Sequence, residues 1–282
     1  MKNLKLWCSV RRHRIAPALS LLIGLAGGAL ILATTPAKAD FKSGAKAYEL
    51  SDFATALQEW IKAAEAGDAR AQYNLGILYD DGKGVQRDQT IAYAWWLKAA
   101  ENGLPEAQHN FASVLISGDG IKKDHRKAAQ WLKKAAASGL ARSQYTLAKM
   151  YGYGLGVPKH DGEAGAWMTK AAMLGDRRAQ YNLGKMYRDG IGFEKNETAS
   201  FKWFESAAAH GHVRAQSKIA RRYAEGRSVG RDDVQALKWS LLATQRGDRA
   251  AAQTAKTLKA RMTKADIDNA VRQSTDWTPD GD

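Results

Sequence analysis

With 282 residues, 45% of them hydrophobic and 26% charged, the chain can bury a sizeable core, which excludes intrinsic disorder as its class. Its 26 glycines, abundant alanine and 5 prolines suit short helices joined by glycine turns better than a β-sandwich. The formal net charge is +14, but residues 1–39 hold six basic residues and no acid, so the rest of the chain carries +8, basic without being extreme.

The first predicted element is an export signal over residues 1–39. Lys2, Lys5, Arg11, Arg12 and Arg14 form a positive leading region, and an uncharged stretch follows from Ile15 to Thr35. Ala37-Lys38-Ala39 then supplies a small-x-small cleavage site before Asp40. This predicts a periplasmic or secreted protein. Residues 15–35 are nearly long enough to span a bilayer, so an inner-membrane anchor that is not cleaved is the alternative. Cys8, the single cysteine, precedes the apolar stretch, so the exported chain has no disulfide and no thiol nucleophile.

The remainder is periodic. Ala71-Gln72-Tyr73-Asn74-Leu75-Gly76 returns as Ala107-Gln108-His109-Asn110-Phe111-Ala112, and again from Ser143, Ala179 and Ala215, each 36 residues on. Gly67, Gly103, Gly139, Gly175, Gly211 and Gly247 keep that spacing, as do Trp95, Trp131, Trp167, Trp203 and Trp239. A fixed period of this length is the mark of a stacked-repeat architecture. The predicted organisation is an opening helix pair over 40–67, five 36-residue units over 68–247, and capping helices with a tail over 248–282.

Each unit divides into two helices. Ala71, Leu75, Leu78 and Tyr79 make one apolar face of the first, which Gly82-Lys83-Gly84 ends. Asp88 is placed to cap the second; Asp124, Asn196 and Asp232 recur there, and where His160 departs, Asp161 is the expected substitute. The second helix carries Ala92, Trp95, Ala99 and Ala100 and stops at Gly103. Small residues at 71, 76, 99, 100 and their repeats let helices cross closely. The tryptophan ladder is expected to fill the core between layers, with Trp60 and Trp96, one position off it, more exposed.

Residues 71–103 resemble the Sel-1-like repeat, a relative of the tetratricopeptide repeat, through A-x-Y-N-L-G…Y-x-x-G-x-G-V-x-x-D…W…K-A-A…G; the resemblance covers about residues 41–260. It implies an all-α, right-handed superhelical solenoid of antiparallel helix pairs that mediates protein–protein contacts, often in bacterial envelope pathways. Cysteine-rich secreted relatives have been linked to β-lactam binding; this chain lacks their cysteines, and that activity is not carried over.

Catalytic motifs are missing from the sequence: no phosphate loop, no H-E-x-x-H, no nucleophile elbow. Asp80-Asp81-Gly82 and Gly118-Asp119-Gly120 sit at the repeat's turn and lack the further carboxylates calcium needs. His210 and His212 flank Gly211, but two ligands on one turn are too few for a metal. No enzyme activity and no cofactor are expected.

One row on the first helices does vary from unit to unit. At i, i+4 and i+7 it reads Arg70, Asn74, Ile77, then Glu106, Asn110, Ser113. The next three units read Arg142, Thr146, Lys149; Arg178, Asn182, Lys185; and Arg214, Lys218, Arg221. In tetratricopeptide-like solenoids this helix lines the concave groove. The expected partner-binding residues are therefore Arg142, Lys149, Arg178, Asn182, Lys185, Arg214, Lys218 and Arg221. Such a stripe suits a partner protein with an acidic segment or, alternatively, an acidic glycan or peptidoglycan fragment. Nucleic acid is not expected, because export removes the chain from it.

Overall fold

In the computed structural model, which describes residues 40–280, the chain forms fourteen α-helices, with no strand among the described residues. The opening pair is α1 (Phe41–Glu49) and α2 (Phe53–Glu65). Then come α3 (Ala69–Asp81) and α4 (Gln89–Glu101), α5 (Pro105–Ser117) and α6 (His125–Ala137), and α7 (Ala141–Tyr153) and α8 (Asp161–Met173). The series continues with α9 (Arg177–Asp189) and α10 (Glu197–Ala209), α11 (Val213–Glu225) and α12 (Asp233–Gln245), and ends with α13 (Arg249–Lys259) and α14 (Lys264–Thr275). The export segment proposed for residues 1–39 lies outside the described residues.

Helices of 13 residues are marginal alone, so packing must hold them. From α1 to α13 each packs against its sequence neighbours, whereas α14 packs on α12. The odd-numbered helices form one row: Asn110 of α5 donates to the Tyr73 hydroxyl of α3 at 3.2 Å, and Asn182 of α9 to the Tyr145 hydroxyl of α7 at 3.4 Å. The even-numbered helices lie behind. Each glycine turn after an odd helix reaches back to the even helix before it. Gly192, at φ +72°, lies so close to the Asp161 carbonyl that a Cβ there would collide with backbone. In the last unit Ser228 takes that register and adopts φ +66°.

The repeated glutamine, whose role its spacing alone does not disclose, is a tie between units. Nε2 of Gln72, Gln108, Gln144, Gln180 and Gln216 donates to the carbonyl of Ala64, Ala100, Ala136, Ala172 and Ala208, at 3.0–3.2 Å. Each bond joins an odd helix to the end of the even helix preceding it, deep in the interior, where a polar side chain needs a partner.

Within a pair, odd and even helices interlock by size. Gly44 faces the Trp60 indole, Gly76 faces Trp96, and Gly184 faces Phe204, where a Cβ would come within 2.8 Å of the ring. The same two registers hold Ala112 with Leu132, Ala148 with Met168 and Ala220 with Ser240. The smallest residue stands opposite the largest ring, and alanine opposite the smaller side chains. Both indoles also bond to backbone, Trp60 to Phe41 and Trp96 to Tyr73, at 3.2 and 3.1 Å.

This corrects the expectation that Trp60 and Trp96 are the more exposed tryptophans: they are 2% and 7% exposed. One residue further along a helix turns the side chain by about 100°, here toward the glycine of the partner helix. The ladder itself is half-buried at Trp95, Trp131, Trp167 and Trp203 and buried at Trp239. Trp167 packs against the cores on both sides of α8, and its outer face is covered by Lys170, 4.1 Å from the ring. Lys98 and Lys134 cover Trp95 and Trp131 in the same way.

The second helices begin as expected at Asp88, Asp124, Asn196 and Asp232, whose side chains accept amide hydrogens of the first turn. His160 caps α8 itself, its Nδ1 accepting from the Glu163 amide at 3.0 Å, so Asp161 does not take the role. At the far end α14 folds back onto α12, tied by Gln235 to Gln273 at 3.0 Å. The tail then lays Trp277 edge-on against Trp239 and bonds Asp280 to the Ala209 carbonyl at 3.0 Å. That fold-back covers apolar surface that a sixth unit would otherwise bury.

Candidate partner-binding groove

The basic row runs along α7, α9 and α11, and its side chains differ in availability. Arg178 is paired: it grips the helix cap Asp176 at 2.9 Å and lies 4.7 Å over the Tyr145 ring. Arg221 reaches Glu225 at 3.7 Å. Arg142 is half-buried, and its Nε has no hydrogen-bond partner among the described residues. Lys218 is half-buried against the Phe204 ring at 5.5 Å; burial, then the cations Arg188, Arg221 and Arg222, pull its pKa below the ordinary lysine value. Lys149, Lys185 and Arg214 make no ion pair among the described residues. Asn182 bridges the row, bonding the Arg178 carbonyl at 2.8 Å and the Tyr145 hydroxyl.

Two clefts open on this face. One, of about 520 Å³, is lined by Tyr145, Arg177, Arg178, Tyr181, Lys185 and Arg214, with Asn182 and the turn Gly211–Val213 completing it. No carboxylate lines it. The second, of about 310 Å³, lies between α7, α8 and α9 and shares Asn182 and Lys185 with the first. The structure thus gathers Arg178, Asn182, Lys185 and Arg214 around one space and Lys149, Asn182 and Lys185 around another. Arg142, Lys218 and Arg221 line neither.

Arg177 is the cation that reading the row misses. Its register holds Ala69, Pro105, Ala141 and Val213 in the other units, and that departure from an uncharged column is the available signal. His212, considered above only as a metal ligand, also lines the larger cleft. It caps α11, its Nδ1 accepting from Ala215 at 3.3 Å, and stacks on Tyr181 at 4.3 Å. His210 instead places Nδ1 2.8 Å from the Ser206 carbonyl. The two rings of the Gly211 turn are thus engaged in separate structural contacts. A buried cation also departs from its column: Arg222 stands where Leu78, Val114, Met150 and Met186 stand, and pairs with Glu197 at 2.8 Å.

Beside the groove, His109 is half-buried with Nδ1 2.9 Å from the Ser143 hydroxyl. Burial first, then Arg142 and Arg178, push its pKa down to about 4. An unfolded histidine takes up its proton near pH 6.5, while the folded one resists until about 4. The neutral ring therefore contributes stability that is full above pH 6.5 and lost progressively as pH falls toward 4. His212 shifts the same way, again mainly through burial. Thermal unfolding followed from pH 7 to pH 5 is expected to show a falling midpoint, and His109→Asn a shallower fall; an identical slope in the variant would remove His109 from the account.

A family model described as the Sel1 repeat matches residues 69–104, 105–140, 141–176, 177–212 and 213–248. The crystal structure of a Sel1 repeat protein from Oxalobacter formigenes is similar at a TM-score of 0.71 and 27% identity, over 84% of this chain and 97% of that one. That of c5321, a protective antigen of uropathogenic Escherichia coli strains with the same repeat fold, is similar at a TM-score of 0.52 and 26% identity, over 83% of this chain and 60% of that one. No curated protein matches. The all-α repeat fold expected from the residues is the one these findings give.

Proposed function

The chain belongs to the Sel1 repeat family, whose members generally mediate protein–protein contacts, and from that premise we propose that it is a non-enzymatic scaffold or adaptor of the cell envelope. It grips a partner protein through the groove of α7, α9 and α11. The observation that carries this reading is the cleft ringed by Arg177, Arg178, Lys185 and Arg214 with no carboxylate in its wall. Asp176 offsets Arg178, and the like charges of Arg177, Lys185 and Arg214 that remain around one space repel, a repulsion an acidic segment relieves. An acidic glycan is the second reading, on the same cations. It is weakened by the aromatic rings: Tyr145 has a face under Arg178 and Tyr181 a face under His212, which leaves poor stacking surface for sugar.

The envelope location is supported by the signal-like pattern of residues 1–39, which also allows an inner-membrane anchor over 15–35. Among the described residues no helix is long and apolar enough to cross a membrane.

Crosslinking in an envelope extract identifies the partner, and titration then tests the groove. Lys185→Glu with Arg214→Glu is the variant of choice, because neither residue is tied to an acid as Arg178 is. Arg214 is exposed and Lys185 half-buried, and neither makes an ion pair among the described residues, so the thermal midpoint is expected to change little. Affinity is expected to fall roughly tenfold or more, and wild-type binding to weaken with salt. Equal affinity in the variant, or indifference to salt in the wild type, returns the basic face to solvent.

A further inference from the structure

The smaller cleft differs in chemistry from its neighbour. Its floor is apolar: Ala148, Ala164, Met168 and Met186 are each at most 8% exposed. Its lip carries Tyr153 and Ile191, large hydrophobic residues that are 71% and 44% exposed. The space is opened by Gly152, in a register that holds Asp80, Ile116, Arg188 and Ala224 in the other units. A Cβ built on Gly152 would meet only the Ala164 Cβ, at 3.8 Å, so nothing in the packing demands glycine there.

Charge surrounds this apolar floor unevenly. The carboxylates at the rim are engaged, Asp189 by Arg188 at 2.7 Å and Asp161 by Lys159 at 3.8 Å. Lys149 and Lys185 make no such pair among the described residues. A concave apolar floor with polar groups at its rim is the form of a side-chain or ligand pocket, and methionines give such a floor shape tolerance. About 310 Å³ lies at the low end for ligand pockets, a size suited to one anchoring side chain.

We propose that this cleft seats one large apolar side chain, Phe, Trp, Leu or Met, from an extended segment of the partner protein, whose adjacent carboxylates bind Lys149 and Lys185. A glycan offers the floor only methyl groups and C–H faces, too small to fill it, and a purely acidic segment leaves it wet. The inference rests on the groove being the partner site and adds what the partner must present there: an apolar anchor beside acidic residues.

The test is selection of a displayed library of random dodecapeptides on the purified full-length chain, followed by titration of the enriched peptides. Enriched peptides are expected to carry an aromatic residue, Leu or Met within two positions of Asp or Glu. Replacing that anchor by Gly is expected to weaken binding at least tenfold. Gly152→Leu, which fills the space with a better helix former, is expected to do the same with an unchanged circular dichroism spectrum; the peptide-side change reads the pocket even if that variant misfolds. Acidic peptides without an anchor, or an anchor whose loss changes nothing, would overturn the pocket and leave the basic groove standing. Peptides without acids that ignore Lys185→Glu, or no enrichment at all, would overturn both.

Discussion

Phe204→Ala is expected to lower stability by about 3–5 kcal/mol, the range for removing a buried aromatic ring. The upper end is favoured by what faces the ring. Gly184 has no side chain to move in, and its backbone is held in the middle of α9, so the void stays open on both sides. Phe204 is also fully buried and packs on Tyr181 at 5.4 Å, so neighbours on two helices lose contacts. Trp167→Ala is the matched control. That ring is larger, but half-buried under Lys170, so about 2 kcal/mol is expected. Urea unfolding of both variants checks the order. A greater loss at Trp167 would mean that the ladder, and not the position after it, carries the packing.

Gly76→Ala is expected to cost about 2–3 kcal/mol, although alanine is the better helix former by about 1 kcal/mol. The added methyl falls inside the Trp96 ring, and the indole cannot retreat without breaking its bond to the Tyr73 carbonyl at 3.1 Å. The diagnostic is the second change. Trp96→Leu alone opens a cavity, but the double variant recreates the pairing found at Ala112 and Leu132. It is therefore expected to be more stable than either single variant. Urea midpoints of the four proteins close the cycle. Additive losses would show that the size match between these columns is incidental.

The period alone locates the helices, their turns and four of the five caps of the second helices, because each depends on residues within one turn of the site. What it did not reveal depends on residues brought together by packing. A column of Gly and Ala at 76, 112, 148, 184 and 220 shows that small residues are wanted; why glycine and not alanine stands at 76 and 184 is decided 20 residues on, at Trp96 and Phe204. The burial of Trp60 and Trp96 escapes a reading of the period for the same reason. The basic row was legible as charge but not as free charge, since Asp176, a cap in local terms, also occupies Arg178. The clefts need three helices at once, and only the departures at Gly152 and Arg177 hinted at them.

The interlock between columns also sets where the chain tolerates being cut and rejoined. Removing residues 69–104 takes away α3 with α4 and leaves every remaining ring opposite the small residue it was fitted to. Removing 83–118, the same number of residues, takes α4 with α5 and sets Gly76 against Leu132, a void where Trp96 had been. The two deletions preserve the period equally, yet only the first preserves the fit. The heritable module of this protein is thus a helix pair in one phase, and tandem duplication or loss can proceed without repair only when its breakpoints fall between pairs.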